Sequence, residues 1–189
     1  WLKAIDAYEN SGAGTMWANY LIATSHMTMR ETEQALPYSE RSEAFAKENN
    51  QPHIEGMHWI ALSVAQRINN DHESSFASAR KALKIFSGAK LSNDVARALI
   101  RIGTIHHYQD QFDSAAVYYF EGLQIYQGLQ NLYQVATVQN NLGVLSYQMG
   151  ETDKALSYLR ESAATKRKLK DWLGLSDNYQ GLANVFDGL

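Results

Sequence analysis

One pattern recurs along the chain every forty residues without a gap. NNLGVLSY at 140–147 aligns with IRIGTIHH at 100–107, IALSVAQR at 60–67 and YLIATSHM at 20–27, and forward with QGLANVFD at 180–187. A residue of little bulk holds one place throughout: Ala23, Ser63, Gly103, Gly143, Ala183. A large aliphatic residue precedes it each time: Ile22, Leu62, Ile102, Leu142, Leu182. Twelve residues later comes a second small position, Ala35, Ser75, Ala115, Ala155, and seven further on a third, Ser42, Ala82, Gly122, Ser162. Self-similarity at such a period is the mark of a stacked-repeat architecture.

The physical meaning is close helix packing. Apolar residues in VATVQNNLGVLSY and in KALSYLRESA fall at three and four spacings, so each segment is an amphipathic helix. The polar connection MGETD at 149–153 is short, which makes the two helices antiparallel neighbours. Small residues at the crossing let the backbones approach, and Leu142, Tyr158 and Leu159 are expected to fill the space around it. Each pair retains an apolar face that only the next pair covers, so the expected fold is an all-α solenoid in one array over 1–189. Residues 1–10 read as the tail of a preceding helix. Hairpins are expected at about 15–49, 54–88, 93–129 and 134–170, with 173–189 opening another. Linkers fall at SGAG (11–14), ENNQP (48–52), SGAKLS (87–92) and KDWLG (170–174). Both ends lie inside helical patterns, so the chain reads as a fragment of a longer protein.

These small and large positions resemble the tetratricopeptide repeat, and the resemblance covers essentially the whole chain. NNLGVLSYQMGETDKALSYLRESA matches the pattern well and RIGTIHHYQDQFDSAAVYYFEGL nearly as well, whereas the two earlier repeats are degenerate. The usual period of that family is about 34 residues, so a period of forty implies a second helix longer by a turn or more. Such long repeats are similar to those of kinesin light chains and of bacterial signalling and transcription regulators. The resemblance implies a right-handed superhelix of antiparallel helix pairs that binds protein or peptide segments on its concave side, lined by the first helix of each pair.

Composition narrows the function. A net charge of −3 argues against nucleic acid as the partner of this segment. The lack of cysteine removes thiolate metal sites and a cysteine nucleophile. No apolar run is long enough for a membrane span, so no membrane insertion is expected. The histidines His26, His53, His58, His72, His106 and His107 show no zinc spacing and are assigned to packing or surface. SGAG lacks the lysine of a phosphate loop, and no serine sits in a nucleophile motif. Glu31 with Glu33, and Glu43 with Glu48, are assigned to solvated helix faces. KRKLK at 166–170 is read as cations favoured by a helix C-terminus. No active site, metal or cofactor is expected in this chain.

Helical spacing selects the residues on the expected concave face. They are Trp17, Tyr20, Thr24 and Met27 in the first pair, Arg67 in the second, and Arg97, Arg101, Thr104, His107 and Tyr108 in the third. The fourth supplies Asn140, Asn141, Val144, Tyr147 and Gln148, and the last helix Gln180 and Asn184. Arginines there suit carboxylates, and the amides suit a peptide backbone. Ile60, Ile68 and Ile100 share the stripe but are expected in the core. The leading reading is a non-enzymatic, protein- or peptide-binding module, the sensory or scaffolding part of a larger bacterial signalling or transcription regulator. The alternatives are a self-assembling spacer and a regulatory domain of an enzyme whose catalytic part lies elsewhere. The cytoplasm is favoured over the periplasm.

Overall fold

The computed structural model describes residues 32–187, which form eight α-helices and no strands among those residues. They are α1 (Thr32–Glu48), α2 (Pro52–Ile68), α3 (His72–Gly88), α4 (Ser92–Tyr108), α5 (Phe112–Gly128), α6 (Leu132–Gln148), α7 (Thr152–Leu169) and α8 (Trp172–Asp187). The expected tail at 1–10, most of the first hairpin and the concave-face residues Trp17, Tyr20, Thr24 and Met27 lie outside the described residues. The array is therefore all-α and built of repeated helices.

The forty-residue period divides evenly. Helices α2, α3, α4, α5 and α6 each have 17 residues, and α7 has 18. This corrects the expectation of a longer second helix, because the added length is shared by both members of a pair. Each turn works the same way. The residues Asn50, Asn70, Lys90, Asp110, Gln130, Gly150 and Lys170, spaced by twenty, all have positive φ between 51° and 77°. The following residue donates its N–H to the carbonyl five residues back: Asp71 to Gln66 at 2.9 Å, Gln111 to His106 at 3.0 Å, Glu151 to Ser146 at 2.8 Å. That left-handed closure satisfies carbonyls a helix end leaves open. The same residue then begins the next helix. Asp71, Asn131 and Asp171 accept from the backbone N–H of Ser74, Gln134 and Gly174. One short turn thus stops one helix and starts its neighbour.

The chain divides into two compact units, Trp1–Arg101 and Ile102–Leu189, and the division falls within α4. In the first unit α2 packs on α3 and on α1. Its core holds Ile60, Ala82, Phe86 and Ala98, with Met57, Trp59 and Leu83 against them. The small positions meet across the α2/α3 crossing, where Ser75 Oγ donates to Ser63 O at 2.7 Å and lies 3.1 Å from Ser63 Oγ. Gly56 is pressed by the Phe86 ring, which a Cβ there would overlap.

In the second unit α6 packs on α5 and α7, and α8 packs on both α7 and α6. A Cβ on Gly103 would lie 2.7 Å from the Tyr119 ring and 3.2 Å from Ala115 O. On Gly143 it would lie 2.6 Å from Leu159 Cγ and 3.3 Å from Ala155 O. The first small position of each pair therefore faces the second, as the register requires. Leu142 and Leu159 are buried there as expected. Tyr158 instead leans away from the crossing, onto Phe120, with ring centroids 6.4 Å apart.

Candidate functional site

A helix face serves a partner only if its own unit leaves it uncovered. In the first unit the expected face holds Arg67 on α2 and Arg97 and Arg101 on α4, all half-buried. Four-residue spacing puts Arg97 and Arg101 on one side of α4. Arg97 Nε lies 3.6 Å from Asp94 Oδ1, and Asp94 Oδ2 pairs with His53 Nδ1 at 2.8 Å. Asp94 thus faces both Arg97 and His53. Ile60 is buried in the core, as expected, whereas Ile68 and Ile100 are half-buried.

In the second unit α4 contributes Thr104, His107 and Tyr108, α6 contributes Asn140, Asn141, Val144, Tyr147 and Gln148, and α8 contributes Gln180 and Asn184. The structure ties several of these together. His107 Nε2 hydrogen-bonds Gln148 Oε1, joining the ends of α4 and α6. Tyr119 OH, rising from α5, lies 3.4 Å from both His107 Nδ1 and Thr104 Oγ1. Sequence reasoning assigned Tyr119 no role, because a buried ring in a second helix reads as core; its hydroxyl lies at the edge of hydrogen-bond reach of the histidine. Gln180 Nε2 donates to Asn184 Oδ1 at 3.0 Å, one turn apart on α8.

The remaining members differ in exposure. Tyr108 is largely exposed, as are Gln148, Gln180 and Asn184. Asn140, Asn141 and Val144 are half-buried. Tyr147 packs its ring against the Ala155, Leu159 and Val185 cluster, so it presents an edge rather than a free ring. The face is a row of amides with aromatic edges and carries no Lys or Glu among these positions. Such a row supplies paired donors and acceptors at modest desolvation cost.

One arrangement elsewhere has the residue types of a hydrolytic triad. Ser39 Oγ hydrogen-bonds His58 Nδ1, and His58 Nε2 is 3.8 Å from Glu43 Oε2. Glu43 also accepts from Trp59 Nε1 at 3.0 Å and from Lys47 Nζ at 2.7 Å, while Lys81 Nζ sits 3.5 Å over the Trp59 ring. Ser39 and His58 are only 2% and 3% exposed. The pair is buried, and the network ties α1 to α2. Among the described residues no group of three His, Asp or Glu side chains is placed to hold a metal. No helix there is long and apolar enough to cross a membrane. In the KRKLK stretch, Lys166 turns inward and its Nζ donates to Gly174 O at 3.0 Å. Burial pushes its pKa below the ordinary lysine value against the pull of Asp171 and Asp177.

Comparison with known proteins bears on this geometry. Residues 135–169 match the family model of the tetratricopeptide repeat. Among solved structures the chain is similar to BtubC (BKLC) from P. vanneervenii, with TM-score 0.80 and 21% identity over 98% of this chain and 78% of that one. It is similar to a signal transduction ATPase with numerous domains from Pyrococcus horikoshii, which carries a tetratricopeptide repeat sensor. There the TM-score is 0.71 and identity 16%, over 88% of this chain and 25% of that one. A putative kinesin light chain of P. anserina gives TM-score 0.64 and 13% identity, over 89% and 87%. These likenesses show a common fold. No curated protein sequence matches the chain.

Proposed function

Because this chain is an array of tetratricopeptide-type repeats, we propose that it is an interaction module holding a protein or peptide segment against the uncovered faces of its first helices. The observation that carries this is the amide row of the second unit: Asn140 and Asn141 on α6 with Gln180 and Asn184 on α8, on helices that pack together. An extended segment has one donor and one acceptor per residue, and an amide side chain pairs with both. Thr104, His107 and Gln148 border the row on α4 and α6. Arg67, Arg97 and Arg101 of the first unit suit acidic side chains or a terminal carboxylate. We assign the module to the sensory or scaffolding part of a larger signalling or transcription regulator, supported by the sensor role printed for the repeats of the Pyrococcus horikoshii protein. It needs no catalytic group of its own for that role.

Selection of peptides from a random library by the chain, repeated with Arg101→Ala and with Asn140→Ala, tests the reading. Loss of one hydrogen bond to the ligand lowers affinity by about three- to tenfold. If both variants hold every selected peptide as tightly as the parent, the assignment of these faces is wrong.

A further inference from the structure

The apolar residues of an amphipathic repeat belong inside, yet six large ones stand outside at one edge of the second unit. Leu129, Leu132 and Tyr133 surround the turn between α5 and α6, at 46%, 56% and 52% exposure. Leu169, Trp172 and Leu173 surround the turn between α7 and α8, at 42%, 65% and 82%. The two sets are forty residues apart, position for position, so they occupy equivalent places on consecutive repeats. Leu132 and Tyr133 stay exposed although a complete helix pair and α8 follow them, so the exposure is a property of the position. The fold does not require apolar residues there, since the same positions of the preceding repeat hold Ala89, Ser92 and Asn93.

Charge at this edge is one-sided. Arg167, Lys168 and Lys170 are exposed beside Leu169 and Trp172, in a chain whose net charge is −3. No acidic residue occurs in 124–135, and Asp171 and Asp177 are the only ones in 162–177, both acting on the buried Lys166. The Asp171 carboxylate caps α8 through the Gly174 N–H and faces the buried Lys166. Arg167 donates to Tyr179 OH at 2.9 Å.

We propose that this edge docks the protein on an anionic lipid surface. Trp, Tyr and Leu at turn tips, flanked by cations, match the boundary between acyl chains and headgroups, where amphipathic rings settle and each nearby cation adds attraction. The six residues stand at the helix ends that flank two equivalent turns, where they suit a broad deformable surface. An exposed apolar patch of this kind marks an interaction surface. Docking is peripheral and leaves every helix folded. It uses the N-terminal ends of α6 and α8, about two turns from the amide row.

Flotation of the full chain with phosphatidylcholine vesicles, and with vesicles containing about 30% phosphatidylglycerol, tests the proposal. The chain floats with the anionic vesicles only, and less so at high salt. The Leu132→Ser/Trp172→Ser/Leu173→Ser variant, with unchanged circular dichroism, loses at least about tenfold in partitioning. Lys168→Glu/Lys170→Glu abolishes the preference for anionic lipid. Val117→Ser/Phe120→Ser, which alters exposed apolar residues of α5 away from this edge, floats as the parent does. Failure to float with anionic vesicles overturns the proposal, as does equal flotation with neutral ones. Equal flotation of the parent and the first variant does the same, and so does binding by this edge to an acidic amphipathic peptide but to no vesicle.

Discussion

Leu159 sits between two glycines of different helices: a Cβ on Gly143 would be 2.6 Å from its Cγ, and one on Gly181 would be 3.0 Å from its Cδ2. The leucine of α7 is thus a wedge between α6 and α8, and both first helices give up bulk to admit it. Gly143→Ala adds a methyl against Leu159 and against the Ala155 carbonyl, neither of which yields freely. Overpacking of this kind costs about 1–3 kcal/mol, and the better helix propensity of alanine returns about 1 kcal/mol. The expected net is a loss of up to roughly 2 kcal/mol in denaturant unfolding. In a Leu159→Ala background the same methyl becomes neutral or stabilising, which a double-mutant cycle measures. Gly128, with nothing within 4 Å of its Cβ position, is the control, and Gly128→Ala gains about 0.5–1 kcal/mol.

The turns predict opposite signs for two changes at equivalent places. Gln130 has φ 54° and Gly150 φ 77°. A side chain is strained there, so Gln130→Gly raises stability by about 0.5–1 kcal/mol and Gly150→Ala lowers it by about 1 kcal/mol. Thermal melts of the two variants check the pair. A loss on Gln130→Gly would mean that its side chain contributes more than its backbone costs.

Asn178 carries the docking of α8. It is wholly buried, donates from Nδ2 to Leu159 O at 3.2 Å and accepts from Ser162 Oγ at 3.1 Å. The single Ser162 hydroxyl proton is shared between Asn178 Oδ1 and Ala136 O, the latter at 2.5 Å, so three helices meet at one polar knot. Asn178→Ala removes the amide's bonds to the Leu159 carbonyl and to Ser162, each worth about 0.5–1.5 kcal/mol. Amide exchange resolves where the loss falls: α8 should open first, with α5 and α6 still protected.

Acid should loosen the first unit through His58. Burial holds its pKa below the ordinary histidine value; Glu43 pulls it upward, Lys47 and Lys81 push it down, and the bond with Ser39 raises it. The folded pKa is therefore below the unfolded one, near 6.5. As pH falls through about 6.5 the unfolded chain takes up a proton that the folded chain resists, so stability drops toward the folded pKa. Glu43 acts in a lower window. Burial raises its pKa, but the Lys47 bond and nearby cations outweigh that and hold it below 4.5, so its contribution is lost only in stronger acid. Unfolding midpoints at pH 7.5 and 5.5 should fall less for His58→Gln than for the parent. Equal falls would remove His58 from the account.

Much of the fold was legible because packing constrains type. Only a residue without bulk fits where Gly143 meets Ala155 and Leu159, so the register of small positions located the crossings. The turns were harder to read. Backbone hydrogen bonds close them, and Asn50, Lys90, Asp110 and Gln130 accept the left-handed conformation alongside Gly150, so residue type carried little signal. The division into equal helices, which those turns set, was missed for the same reason.

At the candidate site, spacing named the helix faces but not which side chains a neighbour would claim. Tyr147 is partly taken by the α7/α8 cluster, and Lys166 leaves its basic run for a carbonyl. The apolar edge at Leu132 and Trp172 escaped notice because an apolar residue in a helical pattern reads as core, and only burial distinguishes the two.

A photo-reactive side chain placed at Gln180 on α8, and in a second variant at Arg160 on the exposed side of α7, measures where a library-selected peptide lies. The account predicts crosslinks from position 180 and none from position 160. Crosslinks from 160 alone would contradict the assignment of binding to the uncovered faces of the first helices.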